Sequence, residues 1–167
     1  MKKDLDFVVH PFAPIWDEKS EILILGSFPS VKSREEMFYY GHPRNRFWKI
    51  IATVLNEKNP LCIEDKKKML INNRVALWDV LESCEILGSS DSSIKNAKPN
   101  DISDIIKKSR IKKVFTNGKT ADKLYKKFIF PMTGISAVCL PSTSPANATV
   151  GFDELLVRWS VISVNND

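Results

Sequence analysis

The stretch Ile22–Phe47, ILILGSFPSVKSREEMFYYGHPRNRF, decides the fold that we predict for this chain of 167 residues. It begins with a run of apolar residues, Ile22–Leu25, which ends at Gly26. A strand that is apolar on both faces is typical of the centre of a parallel sheet. In open α/β sheets, ligands bind at the carboxyl ends of the strands. We therefore expect the functional site directly after Gly26.

Patterns of buried strands and amphipathic helices alternate along the rest of the chain. The apolar residues from Phe47 to Val54 recur at helical spacing, and Pro43 suits the first turn of that helix. The alternation predicts one α/β domain over residues 1–167, a three-layer αβα sandwich with a central, mainly parallel four-stranded sheet. The predicted strands are Glu21–Gly26, Val75–Val80, Lys113–Asn117 and Ile135–Leu140, and the further predicted helices are Glu64–Ile71, Asp101–Ser109, Lys119–Ile129 and Phe152–Ile162.

Three segments lack such a pattern, and we predict that they are irregular. Residues 1–20 contain several prolines and are expected to form an extended N-terminal arm against the domain. A polar loop is predicted from Pro29 to about Met37. The segment Glu82–Asn100 is rich in Ser, Asp and Asn, which predicts a long loop. Loops of this length in compact domains are more often functional than accidental.

Three of the predicted strands end beside polar residues. Their ends, at Gly26, Asn117 and Pro141, should lie at the same edge of a parallel sheet, so that the loops after them converge on one pocket. From the residues alone, Asn117 and the following glycine can also be explained as a turn that ends a strand. In the same way, Asn45 can be explained as a polar residue in the first turn of a helix.

Composition limits the classes of function. The formal charge of +5 and the pI near 9.1 favour a polyanionic partner, because lysines and arginines that neutralise phosphates release counterions. No segment approaches the roughly 20 apolar residues that span a bilayer, so we expect no membrane partner and a cytoplasmic location. The three cysteines are far apart and only two histidines accompany them, which indicates reduced thiols and argues against a metal site.

Common catalytic motifs are missing from the sequence. It contains no GxSxG nucleophile elbow, no GxxxxGK[ST] phosphate loop and no GxGxxG dinucleotide fingerprint. Ser27 and His42 are residue types that a Ser/His/Asp hydrolase uses, but their spacing does not support that mechanism.

Six short motifs together resemble one known family. In their order and spacing they resemble the uracil-DNA glycosylase superfamily, and within it the hypoxanthine-DNA glycosylases, also called DNA-deoxyinosine glycosylases. The motifs are Gly26-Ser-Phe-Pro-Ser30, Tyr39-Tyr-Gly-His-Pro-Arg-Asn-Arg-Phe-Trp48, Ala76-Leu-Trp-Asp-Val80, Gly88-Ser-Ser-Asp-Ser-Ser-Ile94, Phe115-Thr-Asn-Gly118 and Ser142-Thr-Ser-Pro-Ala-Asn147.

The resemblance implies base excision without a cofactor. A deaminated base, hypoxanthine by preference, is flipped out of double-stranded DNA, and its N-glycosidic bond is hydrolysed to leave an abasic site. Most of the superfamily places an Asp or Asn where this chain has Phe28, and that residue positions the attacking water. The hypoxanthine branch implies that Asn45 takes this duty, with its carbonyl oxygen placed to hold the water, and that Asn117 is a second catalytic group. An amide orients water and does not deprotonate it.

The resemblance also suggests how the DNA is held. Backbone amides around Ser27 and Phe28 would donate to the base, and either Phe28 or Tyr40 would stack on it. His42 would contact a phosphate, cap the helix or contact the base. The segment STSPAN aligns with the loop that enters the duplex and grips phosphates. Its predicted DNA-binding residues are Ser142 and Ser144 as phosphate contacts, Pro145 as a stiffening residue, and Ala146 and Asn147 beside the gap left by the base.

Two alternatives stay open at this point. A glycosylase of the same fold that prefers uracil or xanthine has the same motifs. A non-enzymatic α/β module that binds a nucleotide through Ser27, Phe28 and the helix after Pro43 would also account for the pocket. Because the six motifs contain no lysine that could form a Schiff base, we expect a monofunctional enzyme. A monomer suits an enzyme that scans DNA.

Overall fold

The computed structural model describes residues 4–163, in which helices and strands alternate. Single turns of 3-10 helix cover Asp91–Ser93 and Ser160–Ile162. The strands and helices in chain order are β1 (Asp6–Val9), β2 (Ile22–Gly26), α1 (Val31–Glu36), α2 (Phe47–Val54), α3 (Ile63–Asn72), β3 (Val75–Asp79), β4 (Leu81–Ile86), β5 (Lys95–Pro99), α4 (Ser103–Lys108), β6 (Lys113–Asn117), α5 (Lys119–Phe128), α6 (Phe130–Thr133), β7 (Ala137–Leu140) and α7 (Phe152–Trp159).

A four-stranded parallel sheet forms the centre of the fold. Its strand order is β3-β2-β6-β7, and all neighbouring pairs are parallel. The predicted α/β class and the central four-stranded sheet are therefore confirmed. The carboxyl ends of β2, β6 and β7 lie at one edge, as the sequence predicted. Strand β2 is central and completely buried, which agrees with its apolar residues on both faces.

Side chains of β2 alternate between two hydrophobic cores on the two faces of this sheet. Ile22 and Ile24 pack with buried residues of α2, α3 and α7. Leu23 and Leu25 pack on the opposite face with buried residues of α4, α5 and β4. The three-layer arrangement follows from this alternation, because each face needs an apolar cover. No helix within residues 4–163 is long and apolar enough to cross a membrane.

A second sheet of three antiparallel strands was not predicted. Its order is β1-β4-β5, so the N-terminal arm supplies an edge strand. The prediction of a long loop over Glu82–Asn100 is wrong, because β4 buries four of its six residues and β5 pairs with it. The arm is extended over Asp6–Val9 as predicted, and Ile15 forms a further bridge to Leu77. Residues 1–3 of the predicted arm lie outside the described residues.

Two local predictions near the pocket are also corrected. The loop predicted from Pro29 to Met37 contains the short helix α1, whose first turn is capped by the Ser30 hydroxyl. Pro43 does not lie in the first turn of a helix, because α2 begins at Phe47 and Pro43 belongs to the turn before it. The polar Asn45 stands between this turn and the helix.

Candidate functional site

A cavity of about 490 Å³ opens at the carboxyl edge of the parallel sheet. Its walls include the ends of three strands of the parallel sheet, with Gly26 from β2, Asp79 from β3 and Asn117 from β6. The loop after β7 contributes Ser142–Ala146. Its volume lies within the range of small-molecule sites, and the strand ends bring residues together that are far apart in sequence.

Asn45 is held by two hydrogen bonds to its side-chain oxygen. Asn45 Oδ1 accepts from the backbone N–H of Phe47 at 2.9 Å, and this bond caps the start of α2. The same oxygen accepts from Thr143 Oγ1 at 2.9 Å. Both lone pairs of Oδ1 are therefore used within the protein, which contradicts the expectation that this oxygen holds the attacking water. The group that Asn45 can offer to a ligand is its Nδ2 amide.

Thr143 joins the two predicted catalytic asparagines. It is completely buried, and its hydroxyl accepts from Asn117 Nδ2 at 3.0 Å while it donates to Asn45 Oδ1. The backbone N–H of Thr143 donates to Asn117 Oδ1 at 3.0 Å. The two amides, on different elements, are thus fixed relative to each other by one threonine. Such a connected network holds side chains in a single arrangement.

Arg46 attaches the loop after β7 to the segment that carries Asn45. Its guanidinium donates to the backbone carbonyls of Asn147 at 3.1 Å, Ser144 at 3.4 Å and Val150. Its own backbone N–H donates to the Thr143 carbonyl at 3.1 Å. The planar fork of an arginine suits several carbonyls at once, so the loop is held in shape before any ligand arrives.

Replacing Arg46 with lysine should loosen this loop. A lysine keeps the charge but cannot reach the same three carbonyls. We expect a loss of about 1–3 kcal/mol in the free energy of unfolding, since hydrogen bonds to charged groups contribute on this order. Urea denaturation of the purified variant measures it. The exposed neighbour Arg44 gives the matched control, Arg44→Lys, which should leave stability unchanged; equal losses in both variants would contradict the proposed attachment.

Aromatic residues form one wall of the cavity. Tyr40 stacks on Phe47 with ring centroids 4.0 Å apart, and its backbone has φ of 52°, which is unusual for a bulky residue. Its hydroxyl is buried, and no group among residues 4–163 meets hydrogen-bond geometry with it. Burial and the charge of Asp79 raise the pKa of Tyr40, and the nearby Asn117 side chain lowers it, with a net increase. Phe28 is also buried, with Arg34 5.9 Å from its ring centroid. An unpaired hydroxyl at a cavity wall is the kind of group that a bound ligand satisfies.

Two carboxyl groups also line the cavity. Asp79 is almost completely buried, and its Oδ2 lies 2.7 Å from Nε2 of His10, a residue of the N-terminal arm. His10 Nδ1 accepts from the backbone N–H of Phe12 at 3.4 Å, so Nε2 is the nitrogen that donates to Asp79. Asp91, on the 3-10 turn between β4 and β5, accepts from Ser27 Oγ at 3.0 Å.

Comparisons with known proteins agree on one family. The model of the uracil DNA glycosylase superfamily matches residues 13–160. The chain belongs to the uracil-DNA glycosylase superfamily. Proteins named hypoxanthine DNA glycosylase from Methanosarcina acetivorans and Methanosarcina barkeri are 38% and 35% identical to it, each over 81% of this chain and 86% of the relative.

A solved structure supports the same family assignment. It is a solution NMR structure of a protein described as a uracil DNA glycosylase from Methanosarcina acetivorans, with a TM-score of 0.78 and 33% sequence identity. The similarity covers 90% of this chain and 93% of that chain. The resemblance seen in the six sequence motifs is thus confirmed over most of the chain.

Most residues that the glycosylase motifs suggested do line the cavity. Asn147 does not line it, because its Nδ2 donates to the Ser142 carbonyl within the loop at 3.0 Å. His42 Nδ1 accepts from the backbone N–H of Arg44 at 3.1 Å, which leaves Nε2 for a ligand. Ala146 is exposed on the loop. The suggested residues that line the cavity are Ser27, Phe28, Tyr40, His42, Asn45, Asn117, Ser142, Ser144, Pro145 and Ala146.

Four residues at or beside this cavity were not singled out from the sequence. Asp79 is the second-last residue of the predicted strand Val75–Val80 and lies in a quoted motif, and the rule that ligands bind at strand ends points to it. Thr143 and Asp91 lie within quoted motifs, but no pattern distinguishes them from the serines beside them. His10 gave no signal, because its contact with Asp79 joins residues 69 positions apart.

Proposed function

We propose that this protein is a monofunctional DNA glycosylase that releases hypoxanthine from deoxyinosine in double-stranded DNA and leaves an abasic site. The network Asn45–Thr143–Asn117 at the cavity carries this proposal. In this network an amide donor and the loop after β7 lie side by side, which supports binding of the sugar and phosphates of a flipped nucleotide there. The names of the Methanosarcina relatives support hypoxanthine as the base.

The mechanism relies on orientation and electrostatics. When the N-glycosidic bond breaks, positive charge develops on the sugar and negative charge on the base. The free Nδ2 of Asn45 donates to one lone pair of a water molecule and leaves the other to attack C1′. Asn117 holds Thr143, and Thr143 holds Asn45, so the amide is aimed before the substrate binds. An oriented water and fixed dipoles together lower the barrier without a strong base.

The loop after β7 is the proposed DNA interface. Ser142 Oγ and Ser144 Oγ accept from backbone N–H groups two residues further along the loop, at 3.1 and 3.2 Å, and their hydroxyl protons can be donated to phosphate oxygens. Pro145 limits the backbone, and the exposed Ala146 lies on the side of the loop that a duplex can reach. A small residue there fills the gap left by a flipped base only in part.

The proposal is tested with duplex oligonucleotides that contain one deoxyinosine, deoxyuridine or deoxyxanthosine. We expect the fastest release from deoxyinosine, followed by strand cleavage when the abasic product is heated in alkali. Faster release from deoxyuridine would reassign the substrate to uracil. Binding of the duplex without release from any of the three would contradict the proposed function and favour a binding module.

Borohydride should not trap the enzyme on its DNA. No lysine lines the cavity within residues 4–163, so no amine is positioned to attack C1′ and form a Schiff base. After incubation with deoxyinosine duplex and sodium borohydride, gel electrophoresis should show free protein only. A bifunctional glycosylase run in parallel provides the positive control, and an adduct on this protein would show that the enzyme is not monofunctional.

The enzyme is also proposed to act as a monomer in the cytoplasm. Cys62, Cys84 and Cys139 are free thiols in the structure, which suits a reducing compartment. Light scattering of the purified protein with and without duplex DNA measures the oligomeric state. A mass of two chains in the absence of DNA would contradict the monomer.

A further inference from the structure

The chemical groups that line the cavity differ from one end of the sheet edge to the other. The amide and hydroxyl groups of Asn117 and Thr143 lie at the ends of β6 and β7, whereas Asp79 lies at the end of β3. Asp91 reaches the cavity on the same side as Asp79, through its bond to Ser27 after β2. Because the proposed phosphate-binding loop follows β7, the sugar lies at the amide end. The flipped base then extends toward the carboxyl groups.

The turn that carries Asp91 is fixed to its surroundings. The backbone N–H of Val31 donates to Ser89 Oγ at 2.9 Å, and Arg34 Nη2 donates to the Gly88 carbonyl at 2.8 Å. Both donors belong to α1, so this helix holds the segment in front of Asp91. The Asp91 carboxyl group thereby has a set position beside the place of the base, as a reacting group requires.

An ionised carboxylate at this position would oppose the reaction, since the departing base gains negative charge. Asp91 is exposed as a residue, but its carboxyl group lies against Ser27 in the cavity, and desolvation there raises the pKa of Asp91. The hydrogen bond from Ser27 lowers that pKa and the charge of Asp79 raises it again, with a net increase. Asp79, the other carboxyl group that lines the cavity, already has His10 Nε2 as its hydrogen-bond partner at 2.7 Å. The titratable and charged groups on the elements around Asp91 are His10, Arg34, Tyr40, His42, Asp79 and Cys84.

We propose that Asp91 is the general acid that protonates N7 of the departing purine. This inference rests on the proposed glycosylase function. The proton of the Asp91 carboxyl group moves to N7 while the C1′–N9 bond breaks and N9 keeps the electron pair. Hypoxanthine leaves as a neutral molecule. The water oxygen bonds to C1′ and loses a proton to solvent, and the Asp91 carboxylate takes a proton back from solvent.

This role makes Asp91 a determinant of substrate class. In a purine, the ring that contains the glycosidic nitrogen also contains N7, which has a free lone pair, whereas the second ring nitrogen of uracil, N3, carries a proton and cannot accept another. General acid catalysis by Asp91 therefore accelerates release of hypoxanthine and not of uracil. A preference for a purine over uracil then follows from one proton donor.

The test measures single-turnover release from deoxyinosine and from 7-deaza-2′-deoxyinosine, in which carbon replaces N7. The asparagine of Asp91→Asn still accepts from Ser27 but has no acidic proton. We expect Asp91→Asn to release hypoxanthine about 100-fold more slowly, within the range for loss of a general acid. The release rate of the unmodified enzyme should be lower by a similar factor on the 7-deaza substrate. The release rate of Asp91→Asn should be the same on both substrates, because the two changes remove the same proton transfer.

The pH profile gives a second readout. The rate of the unmodified enzyme should fall as the pH rises through the pKa of Asp91, because only the protonated acid donates, and Asp91→Asn should lack this fall. Asp101→Asn changes an exposed aspartate and should match the unmodified enzyme. Two results would overturn the role of Asp91. One is equal rates of the unmodified enzyme on the two substrates. The other is a rate of Asp91→Asn that falls on the 7-deaza substrate by the same factor as the rate of the unmodified enzyme. An unmodified enzyme inactive on deoxyinosine would instead refute the proposed function.

Discussion

Asn45→Ala should slow the release of hypoxanthine from duplex deoxyinosine by about 100- to 1000-fold, the usual cost of removing one oriented donor from a reaction centre. The variant loses the Nδ2 amide that we assign to the water molecule. It also loses the cap on Phe47, which should lower the free energy of unfolding by about 0.5–2 kcal/mol. Single-turnover kinetics with enzyme in excess measure the first effect, and binding of the duplex should be retained.

Asn45→Asp distinguishes the role of the side-chain oxygen of residue 45 from the role of its Nδ2 donor. An aspartate can still accept from Phe47 and Thr143, so the cap and the network are preserved. It has no donor to replace Nδ2. We therefore expect Asn45→Asp to be as stable as the unmodified enzyme and nearly as slow as Asn45→Ala. If the aspartate variant instead keeps its activity or gains some, the water is bound by the oxygen of residue 45 and our assignment to the amide fails.

Thr143→Val should also impair catalysis although Thr143 need not touch the substrate. Valine has nearly the same shape, but it leaves Asn117 Nδ2 without a partner and Asn45 Oδ1 with only the bond from the Phe47 N–H. Leaving buried polar groups unpaired costs about 1–3 kcal/mol each. We expect a clear drop in thermal stability and a fall in the excision rate on the order of 10- to 100-fold, since the two amides are no longer held together.

Thr143→Ser is the matched variant for this positioning role. It keeps the hydroxyl and the backbone N–H and removes one methyl group. We expect most of the excision rate to return in Thr143→Ser, with KM unchanged. A serine variant that is as slow as the valine variant would mean that packing of the methyl group matters and that the hydrogen bonds do not.

The parallel sheet could be predicted because its signals are local. Residues Ile22–Leu25 are apolar on both faces, and Lys113–Asn117 matches its predicted bounds. The antiparallel sheet could not be predicted in this way. Strand β5 has the sequence KNAKP and is largely exposed, and its pairing with β4 shifts in register twice. Strand β1 pairs with β4 across more than seventy residues, so no window of sequence contains both.

The residues of the site also divide into those that a local sequence signal indicates and those that only long-range contacts reveal. The amides Asn45 and Asn117 were found through short motifs, and the sheet brings them together as expected. The donor and acceptor roles within the site depend on the three-dimensional contacts. Which half of the Asn45 amide is free is decided by Thr143 and Phe47, and a sequence does not state which lone pairs are already used. Asp79 gained its partner from the N-terminal arm, which no strand or helix pattern indicated.

The antiparallel sheet has a consequence for how this enzyme can change. The turn between β4 and β5 carries Asp91, whereas Asn117 lies at the end of a strand of the parallel sheet. With the proposed roles, the groups that position the water and the acid that protonates the base therefore belong to separate structural units. Exchange of the hairpin from Leu81 to Pro99 with that of a relative should transfer base preference while the water-positioning groups stay in place. The hairpin is a natural starting point for directing the enzyme to other damaged bases.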